Sequence, residues 1–246
     1  MILQTPIQND IVELDNNPTI REFHSEYEST FVILHPFLKI KDGHTIKFET
    51  GNWPSKKQIT EQTNPITWTE IINKAKLKDI NELDRMLAFS HCARSTADKT
   101  AWVKFMTVID SNNFINAQVD NYPEILTDKT LKQLQVLGYS NILHYSDISD
   151  DKTLYNIQEL IDSENALPEN YTRLLTLDNK ILFETDFDSR FTYFSSDKKT
   201  IDEIITKLDL EGFYCDSKIK HDWSYAEQTE NIIDWSSEER NKNYWL

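Results

Sequence analysis

The chain has 246 residues, 39% hydrophobic and 11% aromatic, with 41 acidic against 26 basic side chains and a net charge of −15. The length predicts one or two domains, and the apolar fraction is enough to pack a core, which excludes general disorder. Phosphate-backbone binding needs clustered Lys and Arg, so nucleic acid is not expected as a partner, and a basic protein surface suits the charge better.

In chain order, the first 30 residues are polar, with Pro6, Pro18 and "DNN" at 15–17, and read as an irregular arm. "TFVILHPFLKI" (30–40) is rich in strand formers. Pro36 cannot donate to a ladder, so it belongs at an edge or bend. "HTIKFE" (44–49) is expected to pair with it across "KDG", and "GNWPSKKQITEQTNP" (51–65) reads as a loop. Three helix starts follow, at Thr67/Glu70, Asp79/Glu82 and Ser95/Asp98. Their apolar faces are Ile71, Ile72 and Ala75, then Leu83, Met86 and Leu87, then Trp102, Phe105, Met106 and Ile109.

"TDKTLKQLQVLG" (127–138) predicts a helix closed by Gly138, "YSNILHYS" (139–146) a strand, and "SDDKTLYNIQELID" (149–162) a helix. Residues 171–186 read as a hairpin about Asp178-Asn179, with "RFTYFSS" (190–196) as the next strand. "KKTIDEIITKL" (198–208) places Ile201, Ile204, Ile205 and Leu208 on one helical face, and "GFYCD" (212–216) returns as a strand. The polar end of the chain carries Trp223, Trp235 and Trp245, which suits a tail docked by its aromatics. The expected fold is α+β: a helical N-terminal and middle part packed with a mostly antiparallel sheet in the C-terminal half. Residues 1–246 are expected to form one unit, with 1–138 and 139–246 as a possible subdivision.

Only four glycines occur, at 43, 51, 138 and 212, where an average chain of this length holds about 17. No G-x-G-x-x-G, G-x-x-x-x-G-K-[ST] or G-x-S-x-G can be written from them, so the phosphate-cradling loops and the serine-hydrolase elbow are excluded. There is no apolar run near the 20 residues of a membrane span. The N-terminus shows no secretion signal, so a cytoplasmic location is expected. Cys92 and Cys215, without C-x-x-C, agree with a reducing compartment and are expected to be free.

Three constellations are candidates for chemistry. In "ILFETDFDSRFTYF" (181–194), Glu184, Asp186 and Asp188 alternate as in a D-x-D cation site. Read as one strand, it places Ile181, Phe183, Phe187, Phe191 and Tyr193 on one face and Glu184, Asp186, Asp188 and Arg190 on the other. A solvated face or turn explains the same pattern and is the expectation. His91 with Cys92, and Cys215 with His221, offer a thiolate–imidazole pair or a zinc set only if the fold brings them together. "GFYCD" instead reads as a strand that packs Cys215 as a small hydrophobe. "KIKHDW" (218–223) groups His221, Asp222 and Trp223, which suits an anionic or aromatic ligand, or a polar turn anchored by its indole.

The order of "FVILHPFLKI", "ITWTEIINKAKLKDINEL", "ILFETDFDSRFTYFSS" and "LEGFYCD" resembles domain-of-unknown-function family 2711, an uncharacterised bacterial group, over about residues 20–225. The resemblance implies a bacterial cytoplasmic protein and carries no catalytic role onto any residue. The leading functional expectation is a non-enzymatic binding protein, with no cofactor and no metal, that neutralises a basic partner. The alternatives are a metal-dependent enzyme acting through Glu184, Asp186 and Asp188, and a small-ligand binder with an aromatic pocket.

Overall fold

The computed structural model describes residues 1–4, 18–47, 53–91, 99–146, 152–165, 167, 172–185, 189–221 and 223. The helices are α1 (Ile20–Phe23), α2 (Lys56–Gln62), α3 (Trp68–Ala75), α4 (Ile80–His91), α5 (Lys99–Asn112), α6 (Glu124–Val136), α7 (Ile157–Asp162) and α8 (Lys198–Leu208). The strands are β1 (Ser29–Leu34), β2 (Phe37–Ile40), β3 (Thr63–Ile66), β4 (Phe114–Ile115), β5 (Asn141–Ser146), β6 (Lys152–Asn156), β7 (Thr172–Leu175), β8 (Leu182–Glu184), β9 (Phe191–Ser196) and β10 (Gly212–Tyr214). Seven strands form one antiparallel sheet in the order β10-β1-β9-β8-β7-β5-β6, and β3-β2-β4 form a small second sheet. The fold is α+β.

The large sheet is covered on both faces. One face packs Val32, Phe191, Tyr193 and Phe213 against Trp68 and Ile71 of α3, Leu83, Met86 and Leu87 of α4, and Trp102 and Phe105 of α5. The other packs Phe31, Ile33, Phe183 and Phe194 against Leu131 and Leu134 of α6, Ile157 of α7, and Ile201, Ile204 and Ile205 of α8. The 3.6-residue periodicities are therefore borne out as buried faces. Thr67 accepts the Glu70 N–H at the start of α3, and Asp79 accepts the Glu82 N–H at the start of α4. The Ser95/Asp98 start lies outside the described residues, although α5 itself is present.

Several local expectations are corrected. Residues 51–65 are not simply a loop. Ser55 and Gln58 form a reciprocal capping box that starts α2, and Thr63–Ile66 pair with β2 at the edge of the small sheet, where Pro65 is tolerated. Residues 44–47 form no strand; β2 takes β3 and β4 as partners instead. Pro36 does mark a bend, between β1 in one sheet and β2 in the other. The helix expected over 149–162 begins only at Ile157, because Asn156 accepts the N–H groups of Gln158 and Glu159 as an N-cap, while Lys152–Asn156 pair with β5. The helix expected from 127 starts at Glu124 behind Pro123 and ends, as expected, at Gly138 with φ 95°.

The N-terminal arm is not wholly irregular: Thr19 and Glu22 form a capping box for α1, and Ile2 bridges Gly212. Gly212 lies so close to β1 that a Cβ would strike the Val32 carbonyl and the Phe31 ring, which only glycine avoids. Among the described residues no helix is long and apolar enough to cross a membrane.

Candidate functional site

The stretch 181–194 contains two strands, β8 and β9, that pair with each other, and its odd positions do not share one face. Phe183 faces the α6–α8 side, while Phe191 and Tyr193 face the α3–α5 side. Glu184 is not on a solvated face: it is 5% exposed and stands opposite Tyr193 of β9 and Arg173 of β7. Asp186 and Asp188 lie outside the described residues. Arg190 is also buried, with Nε 2.6 Å from Asp84 Oδ1 and Nη2 3.1 Å from Oδ2.

Register places seven side chains in one row across the sheet on this face: Lys152, Tyr145, Arg173, Glu184, Tyr193, Val32 and Phe213. The row grades from exposed cation to apolar core. Lys152 Nζ lies 5.1 Å and Arg173 Cζ 5.6 Å from the Tyr145 ring centre, one on each side of it in the ladder. Arg173 Nη2 donates to Glu184 Oε1 at 2.6 Å. Beyond Glu184 the row becomes aromatic and closes into the core.

Two imidazoles descend on the middle of this row from opposite ends of the sequence. His24 is the C-cap of α1, whose Ile20 is buried and donates its N–H to the Ile219 carbonyl. Arg21 secures the turn into β1 by bonding the carbonyls of Tyr27 and Glu28 and the Thr30 hydroxyl. His24 is 2% exposed, its ring centre 5.4 Å from that of Tyr193 and its Nε2 3.9 Å from Glu184 Oε2. His221 follows a turn in which Asp216 accepts the N–H groups of Lys218 and Ile219, and its Nδ1 is 2.7 Å from the Tyr193 hydroxyl. Trp223, 1% exposed, anchors that segment against Phe191 and Phe213.

The His24–Glu184 separation is within reach of an ion pair, but burial dominates and pushes the imidazole pKa down to about 4. Glu26 opposes the shift, while Arg173 and Arg21 add to it. His24 is therefore neutral at neutral pH. Its Nε2 has no hydrogen-bond partner among the described residues. Burial likewise raises the Tyr27 phenol to about 12, with Glu26, Tyr145 and Glu184 adding to the shift. The site thus holds one neutral imidazole, one carboxylate in contact with a guanidinium, and a phenol coupled to a second imidazole.

A second buried network, around His35, is closed. Its Nδ1 faces the Gln118 carbonyl at 2.7 Å, which can only accept, so Nδ1 carries the hydrogen and Nε2 accepts from Thr192 at 2.8 Å. Thr192 in turn lies 2.7 Å from the Thr185 hydroxyl. Burial pushes the His35 pKa down to about 3, in accord with a neutral ring satisfied at both nitrogens. This network locks β8 to β9 and leaves nothing for a ligand.

The structure therefore joins two of the sequence candidates, since Glu184 and His221 meet through Tyr193. Cys215 does not join them. It is a free thiol packed against the core, and burial raises its pKa to about 12, which makes it a poor nucleophile at neutral pH. Cys92, Asp222 and the His91 side chain lie outside the described residues. Among the described residues no three His, Cys, Asp or Glu side chains are placed to hold a metal ion.

His24, Arg173 and Tyr193 were not legible as site residues. Arg173 had a usable signal: a hairpin centred on Asp178-Asn179 sets Arg173 and Glu184 at equal distances from the turn. His24 had none, because its partners are remote in sequence.

No solved structure matches this chain. It is similar to an uncharacterised protein of Bacillus subtilis (strain 168), YwbB, at 21% identity over 220 residues, covering 85% of this chain and 96% of that protein. The family model described as "Protein of unknown function (DUF2711)" matches residues 15–225, which takes in α1, every strand of the large sheet, and the imidazoles of His24 and His221; the chain belongs to that family.

Proposed function

We propose that this protein binds a small molecule carrying a primary ammonium or amide nitrogen, and that the ligand sits between His24 and Glu184. The observation that carries this reading is the His24 Nε2, buried, neutral and without a hydrogen-bond partner among the described residues, 3.9 Å from a buried carboxylate oxygen. With the His24 hydrogen on Nδ1, Nε2 accepts, and a nitrogen with two or more hydrogens placed there bonds both Nε2 and the carboxylate, which offsets the penalty of an orphaned buried polar atom. Glu184 favours a cationic donor, and the Lys152–Tyr145–Arg173 end of the row leads from the site to solvent. The test is thermal shift and calorimetric titration at pH 7 with primary amines and amides, including α-amino acids and linear polyamines. At least one is expected to bind and to raise the melting temperature, with the effect lost in His24→Phe. No binding across the panel, or equal binding by His24→Phe, overturns the reading.

The charge excess supports a second reading, recognition of a basic protein partner. A net charge of −15 speeds encounter with a cationic surface, and salt screens that field. A partner captured at low salt is expected to be basic and to associate more slowly as salt rises. Capture of only acidic or salt-indifferent partners removes the support for it.

A further inference from the structure

Two buried polar atoms in the aromatic cluster around Tyr193 lack a hydrogen-bond partner among the described residues, and they are of opposite kinds. One is the His24 Nε2, which accepts. The other is the Trp223 indole Nε1–H, which can only donate. Trp223 is 1% exposed, and its ring centre lies 6.0 Å from that of Phe191 and 5.3 Å from that of Phe213. A buried indole N–H normally finds an acceptor, and leaving it without one is costly.

Phe191 and Tyr193 connect the two atoms. Both side chains lie on the same face of β9, with ring centres 5.5 Å apart. His24 packs on Tyr193 at one end, and Trp223 packs on Phe191 at the other. Two residues along a strand cover about 7 Å, which sets the scale of a molecule that meets both. His221 packs against both rings, at 5.9 Å from Phe191 and 6.2 Å from Tyr193 between centres, and it is exposed, so the cluster reaches solvent there.

We infer that the ligand is a linear ω-amino acid, with its ammonium between His24 and Glu184 and its carboxylate accepting the Trp223 N–H. The inference rests on the ligand-binding reading above and narrows it. A carboxylate oxygen satisfies the indole donor, which an amine alone leaves unmet. The methylenes between the two ends lie against the Phe191 and Tyr193 rings, where a peptide bond would bury an amide without partners. An α-amino acid is too short, because a single carbon separates its charged groups, whereas a chain the length of 6-aminohexanoate bridges two side-chain positions of one strand face.

The test is calorimetric titration of the full-length protein at pH 7 with 6-aminohexanoate, hexylamine, hexanoate and glycine. 6-Aminohexanoate is expected to bind about tenfold more tightly than hexylamine, the contribution of a hydrogen bond to a charged group, and more tightly than hexanoate or glycine. In Trp223→Phe the ratio of the 6-aminohexanoate affinity to the hexylamine affinity is expected to fall to near one. Benzothienylalanine at position 223 keeps the bicyclic shape and lacks the N–H, so it gives the same readout should Trp223→Phe fail to fold; circular dichroism reports the fold of each. Hexylamine binding as tightly as 6-aminohexanoate, or an unchanged ratio in the Trp223 replacements, overturns the amino-acid assignment and leaves the amine reading standing. Hexanoate or glycine binding as tightly as 6-aminohexanoate overturns it too. Binding of none of the four overturns this inference, and if the wider amine panel is also silent the ligand-binding reading falls with it.

Discussion

Asp84→Ala is expected to destabilise the protein by about 3–5 kcal/mol, the range for breaking a buried ion pair by removing one partner. Asp84 is 2% exposed on α4 and receives two hydrogen bonds from Arg190, 3% exposed, just before β9. The pair fastens the α3–α5 layer to the end of the sheet that carries the polar row. Removing the carboxylate takes from the buried guanidinium the acceptor of both these hydrogen bonds, and that lost compensation of a buried charge is the main part of the loss. Two predictions follow from that cause. Arg190→Met in the same background should restore part of the stability, because the buried charge is gone, and the two changes should be far from additive. Urea denaturation of the wild type, both single variants and the double variant measures this. A loss below about 1 kcal/mol for Asp84→Ala, the level of an exposed pair, contradicts it.

Stability is expected to fall as the pH drops from 7 to 5, by about 2 kcal/mol for each of His24 and His35. Burial holds the folded pKa of His24 at about 4 and that of His35 at about 3, against 6.5 for the free side chain. Below pH 6.5 the unfolded chain takes up protons that the folded protein refuses, so protonation favours unfolding. Stability is complete above 6.5, declines as the pH falls through the window, and levels off below about 4 for His24 and about 3 for His35. The interval from pH 7 to 5 lies above the ordinary carboxylate range, and Glu124, whose carboxyl burial pushes up, would oppose the fall rather than cause it. Urea midpoints across it are expected to shift downward in the wild type and by about half as much in His24→Phe. A flat profile, or a His24→Phe slope equal to the wild type, contradicts the assignment.

Local chemistry explains how much of this protein was readable before its structure. The faces of α3, α4, α5 and α8 follow from apolar spacing alone, because any helix with that spacing must bury that side. The turn at Asp178-Asn179 holds because Asn179 accepts φ 57° and Asp178 bonds the Thr176 hydroxyl and the Lys180 N–H. Errors arose where two local rules competed. In 152–162 a three-residue apolar spacing suggested a continuous helix, but Asn156 caps the chain and frees Lys152–Asn156 to pair with β5. In 51–65 the polar composition concealed the Ser55/Gln58 box, and Lys56 is then buried, its Nζ bonding Asp128 and the Leu160 and Ile161 carbonyls.

The α+β class, most of the elements, the absence of glycine-built phosphate loops and the acidity were legible in the residues alone. Those depend on composition and on neighbours within a few residues. That β1 lies between β10 and β9 emerges only in the folded chain, since strand order depends on pairings between distant segments. The same holds for Glu184, which shares its alternation with an ordinary wet strand. Its face is buried because α1 and the segment ending at Trp223, nearly 200 residues apart, are tied together over it by the Ile20–Ile219 bond. That long-range closure brings both His24 and His221 against Tyr193, and no local spacing encodes it.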